Sequence, residues 1–186
     1  MGRETLCRKR KMKNQTKTVA RVRSLCTAAL IAALYVALTY LAMFLGLDKG
    51  AIQIRFSESL CALAFLTHAA IPGMTVGCLL ANILTGCAPL DIALGPVATL
   101  IGALGAYLIG KNGGRAAKWL WHLPNILANT VIVSLVIYVC YTAPDAQTWE
   151  IIPFYALTVF IGEVISCGVL GTVLLGSSER VLKRFL

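Results

Sequence analysis

The sequence predicts an all-α integral membrane protein of six transmembrane helices with both termini on the cytoplasmic side. Three observations predict it. Only 13% of the residues are charged and 58% are hydrophobic, where a soluble domain carries about a quarter charged. The apolar runs approach the ~20 residues that a hydrocarbon core of roughly 30 Å requires, and they do not alternate as barrel strands do. Fifteen of the 17 Lys and Arg fall in segments that six spans place on one side, which is the positive-inside pattern.

The elements follow in order. Residues 1–17 read as a basic, unstructured cytoplasmic tail, and 18–186 as the membrane domain. Nine cations precede Leu25: Arg3, Arg8, Lys9, Arg10, Lys11, Lys13, Lys17, Arg21 and Arg23. They anchor the first span, from about Leu25 to Leu47; a nucleic-acid arm is the weaker reading. That span is too long for the apolar part of a secretory signal, so it stays uncleaved. Met12 is an alternative start.

A hydrophilic loop from Asp48 to Phe56 follows, holding Lys49 and Arg55, the two cations assigned to the outer side. Ser57 is a candidate N-cap for a second helix, Glu58 to Ala70. Pro72-Gly73 breaks the chain before a third, Pro72 to Thr85, since proline suits a first helical turn. The fourth span runs from Asp91 to Ile109. The loop KNGGRAAK carries Lys111, Arg115 and Lys118. The fifth span covers Leu123 to Tyr141. A loop with Asp145 and Glu150 leads to the sixth, Ile151 to Leu175. The tail adds Arg180, Lys183 and Arg184. Trp119, Trp121, Tyr141, Trp149 and Tyr155 fall where an interfacial aromatic belt belongs. Seven cysteines, an odd number with no CxxC, read as small hydrophobes.

Ionisable and amide groups inside apolar spans are costly and mark candidate sites. Glu163 lies about 11 residues into the sixth span, roughly 16 Å deep at 1.5 Å per residue, and is the best placed to meet a polar guest. Asn82 and Asn129 are the other deep polar groups; Asn125, beside Pro124, reads as a cap or bend. Arg55 and Glu58 read as outer-surface residues, either a local ion pair or a gate over a pocket. Asp91 opens the fourth span, where the helix dipole favours an acid, or reaches a ligand. Trp149 and Tyr155 are placed to cover a flat ligand. His68 and His122 lack companion ligands, so neither a metal site nor another cofactor is expected. Ala29, Ala33 and Ala37 recur every fourth residue, a smooth strip for close helix approach within the bundle or against a partner.

The segments IQIRFSESL (52–60), AAIPGMTVGCLLANILTG (69–86) and LDIALGPVATLIGA (90–103), with LPNILANTVIV and IGEVISCGVLG later, resemble the QueT-type queuosine-precursor transporter family. The resemblance runs from about Thr18 to Leu175. It implies the substrate-binding S component of an energy-coupling factor (ECF) transporter: a six-helix bundle in the cell membrane that takes a vitamin-like molecule from outside. It implies as partners a transmembrane T component and two ATPase subunits, docked on the alanine strip of the first helix. The implied ligand is queuine or a related 7-deazaguanine, whose donor edge suits a carboxylate and whose carbonyl and amine suit Asn amides. Glu163 or Glu58 is the expected reader of that edge, with Asn129 and Asn82 beside it.

The sequence itself shows no P-loop and no GxGxxG, so any ATP energy comes from partners. An intramembrane enzyme would need paired acids or histidines at one depth, and only Glu163 reads as deep. A stand-alone proton-coupled carrier with Glu163 as relay is the alternative, as is an S component for another vitamin.

Overall fold

The computed structural model describes residues 2–47, 53–114, 116–144 and 147–185, with side chains only within 17–178. Lys49, Arg115 and Asp145, counted above as loop charges, lie outside the described residues, as do Met1, Asp48 and Ile52.

Helix α1 spans Gly2–Phe44. It continues through the basic tract, where the sequence predicts an unstructured tail. A 3-10 turn, Phe56–Leu60, leads into α2, Cys61–Leu66. Then come α3 (Ala70–Leu84), α4 (Pro89–Asn112), the short α5 (Ala117–Leu120) and α6 (Leu123–Cys140). A 3-10 turn, Trp149–Ile151, opens the last passage: α7 (Ile152–Glu163), a π-helical segment (Val164–Leu170) and α8 (Gly171–Phe185). Four stretches are long and apolar enough to cross a bilayer: Lys17–Phe44, Pro89–Asn112, Ala117–Cys140 and Trp149–Ser178. Phe56–Leu66 and Ala70–Leu84 are apolar but shorter.

The distribution of side-chain size is that of a helical membrane protein. Ala62, Ala64, Ala70, Ala81, Ala98, Ala103 and Ala106 have no exposed surface, while Leu25, Leu30, Leu127, Val131 and Leu157 face outward. Small residues inside let backbones approach, and lipid, unlike water, accepts the large ones outside. A Cβ on Gly73 would lie 2.7 Å from the Ala28 carbonyl oxygen, and one on Gly77 2.7 Å from Tyr35 Cβ, so α3 packs directly on α1. The same holds between α4 and α6, where a Cβ on Gly102 would lie 2.7 Å from Asn125 Cα.

Hydrogen bonds sort the helix ends. Ser24 Oγ and His68 Nε2, 3.3 Å apart, set the α2–α3 turn beside the basic half of α1. At the opposite end, Tyr40 OH donates to the Leu84 carbonyl at 3.1 Å, and the Ala88 N–H donates to Tyr141 OH at 3.0 Å.

Several expected boundaries move. The second helix begins as a 3-10 turn with Arg55 at its N-cap and ends at Leu66, so Ser57 caps nothing. The break before α3 falls at Thr67–Ala69, because the Thr67 hydroxyl accepts the Ala69 N–H at 3.3 Å. Pro72 is instead the third residue of α3, within the first turn, where a missing N–H costs nothing. Trp121, expected in an interfacial belt, is fully buried, with Gly171 leaving room for its ring.

Candidate functional site

The segment Gln53–Arg55 determines where the polar groups end up. Sequence reading leaves it at the outer surface. In the structure it folds back into the bundle alongside α7. Gly162 makes this possible: a Cβ there would sit 2.1 Å from the Gln53 carbonyl oxygen. Ser166, in the π-helical segment, receives the Arg55 N–H on its hydroxyl at 3.1 Å. π turns inside α-helices commonly mark functional positions, and this one turns Ser166 toward the incoming chain. Ser57 and Glu58 are consequently each 1% exposed. The expected surface position of Glu58 is therefore corrected: it sits at the level of Tyr35, well inside α1.

Beneath this segment lies a buried carboxylate cluster. Tyr35 OH donates to Glu58 Oε1. The Asn125 amide donates to Glu58 Oε2 at 3.1 Å and to Glu163 Oε2 at 3.2 Å. Asn125, read from sequence as a cap or bend, bridges the two acids and is fully buried. One amide nitrogen carries two hydrogens, so it satisfies both carboxylates at once. Asn129 supports it from one turn along, its amide donating to the Asn125 carbonyl at 3.2 Å. Glu163 therefore already has a partner, and it is 5% exposed.

A cavity of about 510 Å³ opens above this cluster, at the end of the bundle away from the basic half of α1. That volume suits a small heteroaromatic molecule. Of the residues singled out from sequence, Arg55, Asn82 and Asp91 line it. Tyr35, Thr39, Gln53, Ser57, Thr85 and Tyr141 add polar surface that sequence reasoning did not assign, and Ala42, Met43 and Ile137 supply apolar walls. Tyr35 carried a usable signal: it follows Ala28, Ile31 and Ala32 on one helical face and bears a hydroxyl.

Asp91 is the acid in the cavity lining. It stands in the first turn of α4 and is 3% exposed. Its Oδ2 accepts from Tyr141 OH at 3.1 Å, and its main-chain carbonyl accepts from Asn82 Nδ2 at 3.0 Å. Two buried polar atoms on lining residues, Ser57 Oγ and Asp91 Oδ1, have no hydrogen-bond partner among the described residues. Arg55 brings a cation to the same cavity.

Five expected contacts are elsewhere. Glu58, Glu163 and Asn129 lie outside the cavity lining, in and beside the cluster below. Trp149 is 80% exposed and stacks on Tyr138 at 6.0 Å. Tyr155 OH accepts from the Thr142 hydroxyl at 3.1 Å. On α1 the alanines divide. Ala28 and Ala32 are buried against Gly73 and Gly77, whereas Ala29, Ala33 and Ala37 are exposed.

Comparison with known proteins gives two matches. A family described as "QueT transporter" matches residues 25–180. The "Queuosine precursor transporter QueT" of Lactococcus lactis subsp. cremoris (strain MG1363) is 37% identical over 75 residues, 40% of this chain and 44% of the relative. The match thus spans less than half of that relative's length. No solved structure matches the chain.

Proposed function

Because this chain belongs to the QueT transporter family, we propose that its cavity receives a queuosine precursor, queuine or a related 7-deazaguanine, from outside the cell. The observation that carries the reading is the cavity itself. It is large enough for a bicyclic ring, has a cation and a carboxylate among its lining residues, and opens at the end opposite the basic residues. A 7-deazaguanine offers a carbonyl and adjacent N–H donors in one plane, which is the complement of Arg55 facing Asp91 and Asn82. Tyr35 and Tyr141 are available to lie against its ring face.

In this reading the chain crosses the cell membrane six times, with α2 and α3 as short spans and both termini cytoplasmic. Lys17, Arg21, Arg23, Lys111 and Lys118 then share the inner side. The chain acts without chemistry of its own, as the S component of an ECF importer. A T component and two ATPase subunits supply the energy. The exposed strip Ala29–Ala33–Ala37 supports this, because its inward neighbours already satisfy the bundle and only the outward row is left for another helix.

The second reading is a proton-coupled carrier, and the buried Glu58–Asn125–Glu163 cluster favours it. The test is thermal unfolding of the purified protein with a panel of 7-deazaguanines, other purines and vitamins, followed by co-purification from cells. A ligand that binds the folded state raises the unfolding temperature. Stabilisation by a 7-deazaguanine together with capture of an ATPase module supports the importer. Uptake by the chain alone under a proton gradient would replace it with the carrier. Stabilisation by a different vitamin would replace the ligand.

A further inference from the structure

The cavity wall is uneven in hydrogen-bond polarity. Its hydroxyls have spent their protons inside the protein. Thr39 donates to the Tyr35 main-chain carbonyl at 2.9 Å, and Thr85 to that of Ala81 at 2.8 Å. A carbonyl oxygen can only accept, so these directions are fixed, and what the two threonines keep for a guest is lone pairs. The phenol protons are likewise engaged, Tyr35 with Glu58 and Tyr141 with Asp91. Asn82 is turned in the same sense. Its nitrogen faces α4, donating to the Asp91 carbonyl at 3.0 Å, and a Cβ on Gly95 would lie 2.6 Å from it. Its oxygen receives no bond from a described residue and, unlike Asp91 Oδ1, is not sealed off.

Arg55 is the opposite pole. It lines the cavity, its guanidinium makes no hydrogen bond or ion pair with a described residue, and none of its nitrogens is sealed off. Its main chain is fixed from outside the cavity, by the bond to Ser166 at 3.1 Å and by the room that Gly162 leaves for Gln53. The donors are thus delivered to one place and left unspent. A guanidinium offers five N–H groups and no acceptor, and it stays charged. We infer that Arg55 is the specificity-determining residue of the cavity, admitting ligands that present a ring carbonyl to it and rejecting those that present an amine there, while Asn82 and the threonines accept from the ligand's N–H groups. This rests on the proposed 7-deazaguanine reading and deepens it, by restricting the class to oxo rings. An amide or hydroxyl can turn to suit either group. A guanidinium cannot, so an amine opposite it sets donor against donor with no relief.

The probes are 7-deazaguanine and 7-deaza-2,6-diaminopurine, which have the same outline and differ in carrying a carbonyl or an amine at one ring carbon. Binding of each to the purified full-length protein is measured by titration calorimetry. Wild type is expected to prefer 7-deazaguanine by about a hundredfold or more. Arg55→Met should weaken 7-deazaguanine and spare the diamino ring, bringing the two within about tenfold. Arg55→Gln supplies an amide that can accept as well as donate; it should narrow the gap in the same way and serves if the methionine variant does not fold. Arg55→Lys keeps a cationic donor and should retain the preference for the carbonyl. A wild type that binds the two rings equally, or a preference that survives Arg55→Met or Arg55→Gln undiminished, overturns the inference while leaving the cavity's ligand class standing. A wild type that binds neither deazapurine but is stabilised by another vitamin overturns the ligand reading, and the inference falls with it.

Discussion

Replacing Asn125 by alanine separates a structural bridge from an ordinary buried amide. Asn125 donates to two carboxylates, at 3.1 and 3.2 Å. Hydrogen bonds contribute about 1 kcal/mol to a neutral acceptor and up to about 3 kcal/mol to a charged one, so losing both amounts to about 2–6 kcal/mol. In a chain of this size 1 kcal/mol moves the midpoint by roughly 2–4 °C, which puts the drop on the order of 10 °C. Asn129 supplies the internal control on the same helix. Its amide makes one bond to a main-chain carbonyl, so Asn129→Ala should cost about 1 kcal/mol, or a few degrees. Thermal unfolding of ligand-free protein in one detergent measures both. Alanine relieves crowding at Gly102 and adds none, so a clash cannot mimic the result. If Asn125→Ala falls no further than Asn129→Ala, the two carboxylates do not depend on the bridge and the account of the cluster is wrong.

Three further outcomes follow from the same geometry. Gly162→Ala places a Cβ 2.1 Å from the Gln53 carbonyl oxygen; overpacking of this kind costs about 1–3 kcal/mol, and because it displaces Arg55 it should weaken ligand binding at least tenfold, by calorimetry. Ala33→Trp on the exposed strip should leave ligand affinity unchanged and abolish capture of the ATPase module in a pull-down; retained capture would move the docking face elsewhere. Tyr141→Phe removes the donor to Asp91 Oδ2 and should cost about 1–3 kcal/mol, read as a drop of a few degrees in thermal unfolding; an unchanged midpoint would show that Asp91 does not depend on that bond.

Much of the fold was legible because it depends on local composition. The long apolar runs, the basic segments at one end and the alanine repeat are properties of short windows. What was missed depends on contacts distant in sequence. The predicted break at Pro72-Gly73 yielded to Thr67, whose hydroxyl turns the chain five residues earlier. Trp121 reads as interfacial by position, and it is buried because Gly171, fifty residues on, leaves a ring-sized gap.

The depth of QIRFSESL (53–60) was illegible for the same reason, and more severely. A hydropathy window assigns a polar segment between two spans to the surface. Here that segment is drawn inward by Ser166, 111 residues away, and held by Asn125, 67 residues from Glu58. Nothing within the segment announces either partner. The consequence reverses the roles that sequence assigned to the acids. A carboxylate deep in a bundle draws notice because burial is costly, and a ligand is the obvious compensation. Asn125 and Tyr35 already supply that compensation for Glu58, and Asn125 for Glu163, so neither needs a guest. Their bonds instead anchor the turn that carries Arg55 and Ser57 into the cavity. Asp91, read from sequence as favoured by the helix dipole or reaching a ligand, lines the cavity. Burial alone marked all three acids; partners distant in sequence separate the two that brace the turn from the one at the cavity wall.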